Sequence, residues 1–263
     1  MITSTSNARI KELRRLAKRR ERDATRRFLV EGRRELGRAV DAGVELELLV
    51  RCPPLLDDAD AELVERAGAA EVLDVAPNVL DALVYREGHD GLLGVARMWD
   101  TGLDALALPA RPLVLVAAGI EKPGNLGAML RTAAAAGAAA LVVADPVVDV
   151  FNPNVVRASV GALFAVPVGV AAADAVVAWL RANDVRILAT TPDAATPHFA
   201  ASLDGAAAVV IGREDAGLPA TWLEAADERI VVPMPGGRGV DSLNAGSTAA
   251  VVLFEAVRQR CAR

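Results

Sequence analysis

The segment EKPGNLGAMLRTAAAAG, residues 121–137, sets Asn125 and Arg131 behind a Pro-Gly turn, at the start of an expected helix that follows an apolar strand. A strand that ends in a Gly-rich turn opening a helix is where α/β proteins present backbone N–H groups and side chains to a ligand. The guanidinium of Arg131 suits bidentate phosphate binding and stabilisation of a developing oxyanion. It is a poor base, because its pKa lies above ~12 and it has no free acceptor while protonated. Asn125 can offer a donor and an acceptor to a polar ligand or a loop carbonyl. In a second segment, VVIGREDAGL at residues 209–218, a β-branched run stops at Gly212 and turns through Glu214 and Gly217. A third, VVPMPGGRGVDSLNAG from residue 231, leads through a Gly-rich loop to Ser242, Leu243 and Asn244. Gly212 lacks a Cβ and so lets a ligand approach the backbone, although a plain strand-ending turn would use the same residue. Asn125 and Asn244 could equally stabilise turns. Glu214 could serve a structural ion pair, and Asp215 stands beside it as a competitor. Asp241-Ser242 reads as a cap for the last helix.

These residues need a framework of alternating elements. Strands are expected over 113–117, 141–143, 166–168, 186–189, 207–211 and 230–232. Helices are expected over 124–136, 154–160, 174–183, 219–225 and 243–260. Continuous apolar strands of this kind indicate a parallel sheet covered on both faces. Residues 100–111, with Thr101-Gly102 and Pro109 as breakers, read as a linker. Before it, a basic helix over 7–22 carries Ile10, Leu13 and Leu16 at helical spacing. Strands over 28–31, 44–50, 71–75 and 91–96 alternate with helices ending at Val40 and over 57–67 and 77–83. That alternation predicts a smaller α/β domain over residues 1–99.

Composition narrows the functional classes. Cys52 and Cys261 are too few and too separated for a disulfide framework or a Cys-rich metal site, and His89 and His198 add no metal-ligand spacing. No segment approaches ~18–20 uninterrupted apolar residues, and the N-terminus lacks the apolar core of a signal peptide. A cytoplasmic protein is expected. Charge is uneven: the first 38 residues carry 13 Lys or Arg against 5 acids, while the whole chain is at −5. A like-charged block can mark a nucleic-acid contact, and phosphate attraction is local enough for an acidic chain to bind RNA. A solvated helical face would look the same.

Asn-x-Gly-x-x-x-Arg-Thr, then Gly-x-Glu-x-x-Gly, then Pro-Met…Ser-Leu-Asn ahead of a C-terminal helix resembles the three motifs of the SpoU (TrmH) family, RNA ribose 2′-O-methyltransferases that use S-adenosylmethionine. The resemblance covers residues 111–263 and implies a SPOUT-type parallel-sheet domain over 112–263 whose C-terminal part threads a loop into a trefoil knot. It implies an N-terminal substrate-binding domain similar to ribosomal-protein-type RNA-binding folds, with residues 88–94 (GHDGLLG) matching its last strand only loosely. It implies a homodimer through the knotted domain. The matching cofactor positions are Gly212, Val232 and Leu243, with Thr190, Ile211 and Met234 as further candidates. Arg131 would handle the 2′-hydroxyl, aided by Asn125, Glu214, Asn244 and Ser242. RNA would meet Arg9, Lys11, Arg14, Arg15, Lys18 and Arg19 of the basic helix. It would also meet Arg157, in a stretch where helix packing is an equally good account. Lys122 stands where the family often has an acid, and residues 244–249 read NAGSTA where many members are Val-rich, which leaves the subfamily open. The basic helix and extra domain point to ribosomal RNA, with transfer RNA as the alternative. A non-catalytic RNA-binding scaffold is the reading from another class. A Rossmann dehydrogenase fails because PGNLG lacks the G-x-G-x-x-G spacing.

Overall fold

A computed structural model of the protein describes residues 1–85, 89–236 and 242–262. The chain divides into two units: Met1–Trp99 with Asp149–Ala165, and Asp100–Val148 with Val166–Arg263.

The first unit is built on β1 (Arg27–Glu31), β2 (Leu46–Arg51), β3 (Glu71–Asp74) and β4 (Leu92–Arg97). Their order in the sheet is β1-β4-β2-β3, with β4 antiparallel to both neighbours and β2 parallel to β3. Ile10, Leu13 and Leu16 bury against Leu29, Val50, Val75, Leu80 and Val95, the packing that their helical spacing anticipates. The single basic helix expected over 7–22 is two helices, Ala8–Arg15 and Arg19–Thr25. The break has a partner: Arg22, 1% exposed, donates to the carbonyls of Leu16 and Ala17, both at 2.8 Å, and to Asp149. Its guanidinium takes up carbonyls that a continuous helix would have used internally.

The helix expected over 154–160 forms as Pro153–Ser159, but within the first unit and not with the second as the domain boundary at 112 implied. The reason is aromatic packing. Phe28 lies 4.9 Å from Phe151, 5.8 Å from Trp99 and 6.4 Å from Phe164, centroid to centroid. In a chain with 3% aromatics, this cluster gathers four of them.

The second unit holds β5 (Leu113–Ala118), β6 (Ala140–Ala144), β7 (Val168–Ala171), β8 (Arg186–Thr190), β9 (Thr196–Pro197), β10 (Ala207–Ile211) and β11 (Glu228–Val231). All pairings are parallel, in the order β7-β6-β5-β10-β8-β11-β9. Every residue of β5, β6 and β10 is buried, as a sheet covered on both faces requires. β7 begins two residues later than the 166–168 expected, because Pro167 has no N–H for the ladder and contributes only its carbonyl, to Leu141. The linker expected over 100–111 packs instead onto this unit's core through Leu103, Leu106 and Leu108. Among the described residues no helix is long and apolar enough to cross a membrane.

Candidate active site

Three chain segments meet at the carboxyl ends of the central strands. The first follows β5. After Ala118 the chain turns through Gly119 and Lys122, and Pro123 opens the helix Pro123–Ala135 at its first position, where a missing N–H costs nothing. Leu126, Gly127, Met129, Leu130 and Ala133 form its buried face.

The second segment follows β10. Arg213 and Gly217 exchange backbone bonds, 3.1 Å from the Arg213 N–H and 3.0 Å from the Gly217 N–H, closing a tight loop. A Cβ on Gly212 would sit 2.5 Å from the carbonyl carbon and oxygen of Gly217 and 2.8 Å from the Leu218 nitrogen. The expectation that Gly212 leaves room for a ligand is therefore corrected: its own loop fills that space. The loop lifts Glu214 toward the first segment.

The third segment starts the C-terminal helix Ala245–Cys261. Its cap is Asn244, whose Oδ1 accepts from Gly246 at 3.0 Å and Ser247 at 3.4 Å. Ser242, the expected cap, lies two residues too early, and Asp241 is outside the described residues. Gly246 permits close approach of this helix to the first, since a Cβ there would stand 2.9 Å from the Ala128 Cβ.

Glu214 ties the three segments together. Its Oε2 accepts from Lys122 Nζ at 2.5 Å, and its Oε1 from Asn125 Nδ2 at 3.0 Å, the Ala245 N–H at 3.3 Å and Asn244 Nδ2. Asn244 Nδ2 also donates to Asn125 Oδ1 at 2.9 Å. Lys122 first, then the Ala245 N–H and the Asn125 amide, hold Glu214 below the ordinary carboxylate value against the opposing pull of desolvation. Glu214 is thus an acceptor whose two oxygens clamp the three segments together. Beside it, Arg213 pairs with Asp215 at 2.9 Å and Glu121 at 2.7 Å, and holds Asp215 down to about 2.

A cavity of about 450 Å³ opens behind the clamp, at the ends of the adjacent strands β10, β8 and β11. All six expected cofactor residues, Thr190, Ile211, Gly212, Val232, Met234 and Leu243, line it, together with Glu214 and Ser242. Sequence reasoning missed Thr191, Asp193, Leu218, Leu223 and Thr248 in the same wall. The Thr-Thr-Pro-Asp turn at the end of β8 was the available signal for the first two. The wall combines apolar side chains with strand-end backbone and unlike charges, which suits a nucleoside carrying a charged tail. A smaller cavity of about 180 Å³, lined by Ile120, Lys122 and Asn125, shares Arg213, Glu214 and Asp215 with it.

Arg131 is not brought into this cluster. It is exposed, outside the walls of both cavities, and its side chain has no hydrogen bond or ion pair among the described residues. The expected RNA-contacting residues divide in two. Arg9 pairs with Glu71 at 2.5 Å, Arg15 with Glu21 at 2.8 Å, Arg19 with Asp23 at 3.6 Å, and Arg157 donates to Asn154 at 3.2 Å. Lys11, Arg14 and Lys18 are exposed and have no ion pair among the described residues.

The SpoU rRNA Methylase family model matches residues 112–254, the span that contains all three segments. The chain belongs to the SpoU rRNA methylase family. Residues 7–94 match the MRM3-like substrate binding domain. The chain is similar to the 23S rRNA (uridine(2479)-2'-O)-methyltransferase of Streptomyces viridochromogenes, at 31% identity over 93% of this chain and 87% of the relative. A crystal structure of an RNA 2'-O ribose methyltransferase matches at 43% identity and TM-score 0.88, covering 99% of each chain. The SpoU methyltransferase AviRb from Streptomyces viridochromogenes, solved in complex with AdoMet, matches at 30% identity and TM-score 0.91, covering 97% of this chain and 98% of that one. As a SpoU methyltransferase the protein is an enzyme that uses S-adenosylmethionine.

Proposed function

We propose that this SpoU methyltransferase methylates a ribose 2′-hydroxyl in ribosomal RNA, 23S rRNA in the first instance, and acts in the cytoplasm. The observation that carries the reading is the Glu214 clamp, which joins all three motifs at the mouth of a cavity containing every expected cofactor position. The relatives' activity on 23S rRNA supports the substrate class.

Bound S-adenosylmethionine supplies a methyl group already activated on a sulfonium. The protein's work is then to hold the hydroxyl in line with it and to stabilise the oxygen as its proton leaves. Ile211, Val232, Met234 and Leu243 would bracket the nucleoside, with backbone groups at the ends of β8, β10 and β11 reading its edges. Asn125 and Asn244, fixed by Glu214, would orient the substrate ribose, and Ser242 would stand at the substrate side of the cavity wall. Arg131 would clamp an RNA phosphate and stabilise the developing alkoxide; the absence of a competing partner among the described residues leaves its five N–H donors free for that. The first unit would bind folded RNA through Lys11, Arg14 and Lys18, with Arg9, Arg15, Arg19 and Arg157 able to exchange exposed pairs for phosphate.

Two architectural features belong to the same proposal. The C-terminal helix follows β11 yet packs against the helix that follows β5, a return path compatible with a trefoil knot. That helix buries Val252 and Leu253 but exposes Val251 and Phe254, an apolar strip suited to a second copy in a homodimer.

The test is methyl transfer from labelled S-adenosylmethionine to total RNA from a host lacking this gene. Label is expected in a ribosomal RNA band and should be lost in Arg131→Ala. Label confined to transfer RNA would redirect the substrate, and no label with no S-adenosylmethionine binding would sink the enzymatic reading in favour of a scaffold.

A further inference from the structure

The two oxygens of Glu214 are unevenly served. Among the described residues Oε1 receives Asn125, Asn244 and the Ala245 N–H, whereas Oε2 has a single partner, Lys122. Lys122 immediately precedes the first-motif helix, and its carbonyl accepts from the N–H groups of Asn125 at 3.0 Å and Leu126 at 3.3 Å. Its backbone is therefore fixed by the helix start while its ammonium reaches across to the second motif. No other described cation is placed to replace it. Arg213 is committed to Asp215 and Glu121, and the opening of the C-terminal helix, residues 245–250, carries no charged side chain. Three donors converge on Oε1 only while the carboxylate keeps one rotation about its Cγ–Cδ bond.

We propose that Lys122 is a positioning residue for methyl transfer: by holding Oε2 it fixes the rotation of the Glu214 carboxylate, and through it the amides of Asn125 and Asn244. This rests on the methyltransferase reading of the site. The pair is exposed on the lysine side, with Lys122 71% accessible and Glu214 21%, so its contribution to overall stability is small. Its effect lies in the geometry and ionisation of the clamp. Lys122 is the foremost group holding Glu214 below its ordinary value. Protonation of Glu214 would turn one acceptor oxygen into a hydroxyl and release part of the clamp. Activity therefore falls as pH drops through the Glu214 pKa, and without Lys122 that fall moves to higher pH.

The experiment compares full-length wild type, Lys122→Met and Lys122→Arg. Single-turnover methyl transfer to ribosomal RNA from the deletion host is followed across the acidic limb of the pH profile. Lys122→Met is expected to slow transfer about tenfold, in line with loss of a charge-assisted hydrogen bond. It should also shift the acidic limb upward while leaving S-adenosylmethionine affinity within twofold, and Lys122→Arg should recover both rate and limb. The side-chain amide resonances of Asn125 and Asn244 are recorded alongside and should move in Lys122→Met but not in Lys122→Arg. An unchanged limb with unmoved amides in Lys122→Met overturns the inference, as does an arginine variant that behaves like methionine. Should the wild type itself transfer no methyl, the methyltransferase reading falls, and the amide resonances still decide whether Lys122 sets the clamp.

Discussion

Gly212 illustrates how a residue can be read correctly in type and wrongly in cause. Its position at the end of β10 suggested close approach of a ligand, and it does line the larger cavity. What forbids a Cβ there is the backbone of Gly217 and Leu218 folding back at 2.5 to 2.8 Å. Gly212→Ala should accordingly act on the loop: a loss of about 1–3 kcal/mol in stability, together with weaker S-adenosylmethionine binding as Glu214 is displaced. Thermal unfolding and calorimetry on the same variant check this. A variant that unfolds normally and loses only cofactor affinity would restore the ligand-approach account.

At the scale of elements, the C-terminal helix links stability to the site through its cap. Asn244 does two jobs with one amide: Oδ1 caps the helix, and Nδ2 donates to Glu214 and Asn125. The two separate by substitution. Asn244→Ser keeps an oxygen able to cap, so stability should stay within about 0.5 kcal/mol, while methyl transfer falls at least tenfold because the amide donor is gone. Asn244→Ala should lose both, with about 1 kcal/mol of stability. Unfolding curves and initial rates on the pair distinguish these outcomes, and equal activity in Asn244→Ser and wild type would remove Asn244 from the clamp. The sequence made Asn244 a candidate by its motif, but it assigned the cap to Asp241-Ser242, because several residue types that cap well stand within four positions and only the observed helix start selects among them.

At the scale of the whole molecule, the chain crosses between its two units three times, at 99–100, 148–149 and 165–166. The first unit is consequently completed by sequence that lies between strands of the second. Phe151 and Phe164 pack on Phe28, and Asp149 is the carboxylate partner of the buried Arg22. A fragment of residues 1–99 should therefore fail to fold cooperatively, since it leaves Arg22 without its acid and part of its aromatic cluster exposed. Far- and near-ultraviolet circular dichroism with a urea titration tests this, and a sharp two-state transition in the fragment would contradict it.

The alternation of elements and the parallel second sheet were legible in the sequence, because apolar strand runs and turn residues are local signals. The six cofactor positions came instead from the resemblance to the SpoU motifs, and all six line one cavity. Even the break in the basic helix had its cause nearby in the chain, in Arg22 reaching Leu16 and Ala17. Packing between distant segments settled which residues share a site. Glu214 meets Asn125 from 89 positions away and Lys122 from 92, and no periodicity carries information over such separations. It also decided that Arg131 stands outside the clamp and that residues 149–165 complete the first unit. Both depend on which surfaces remain to be covered once the sheets have formed, and that is a property of packing between distant segments.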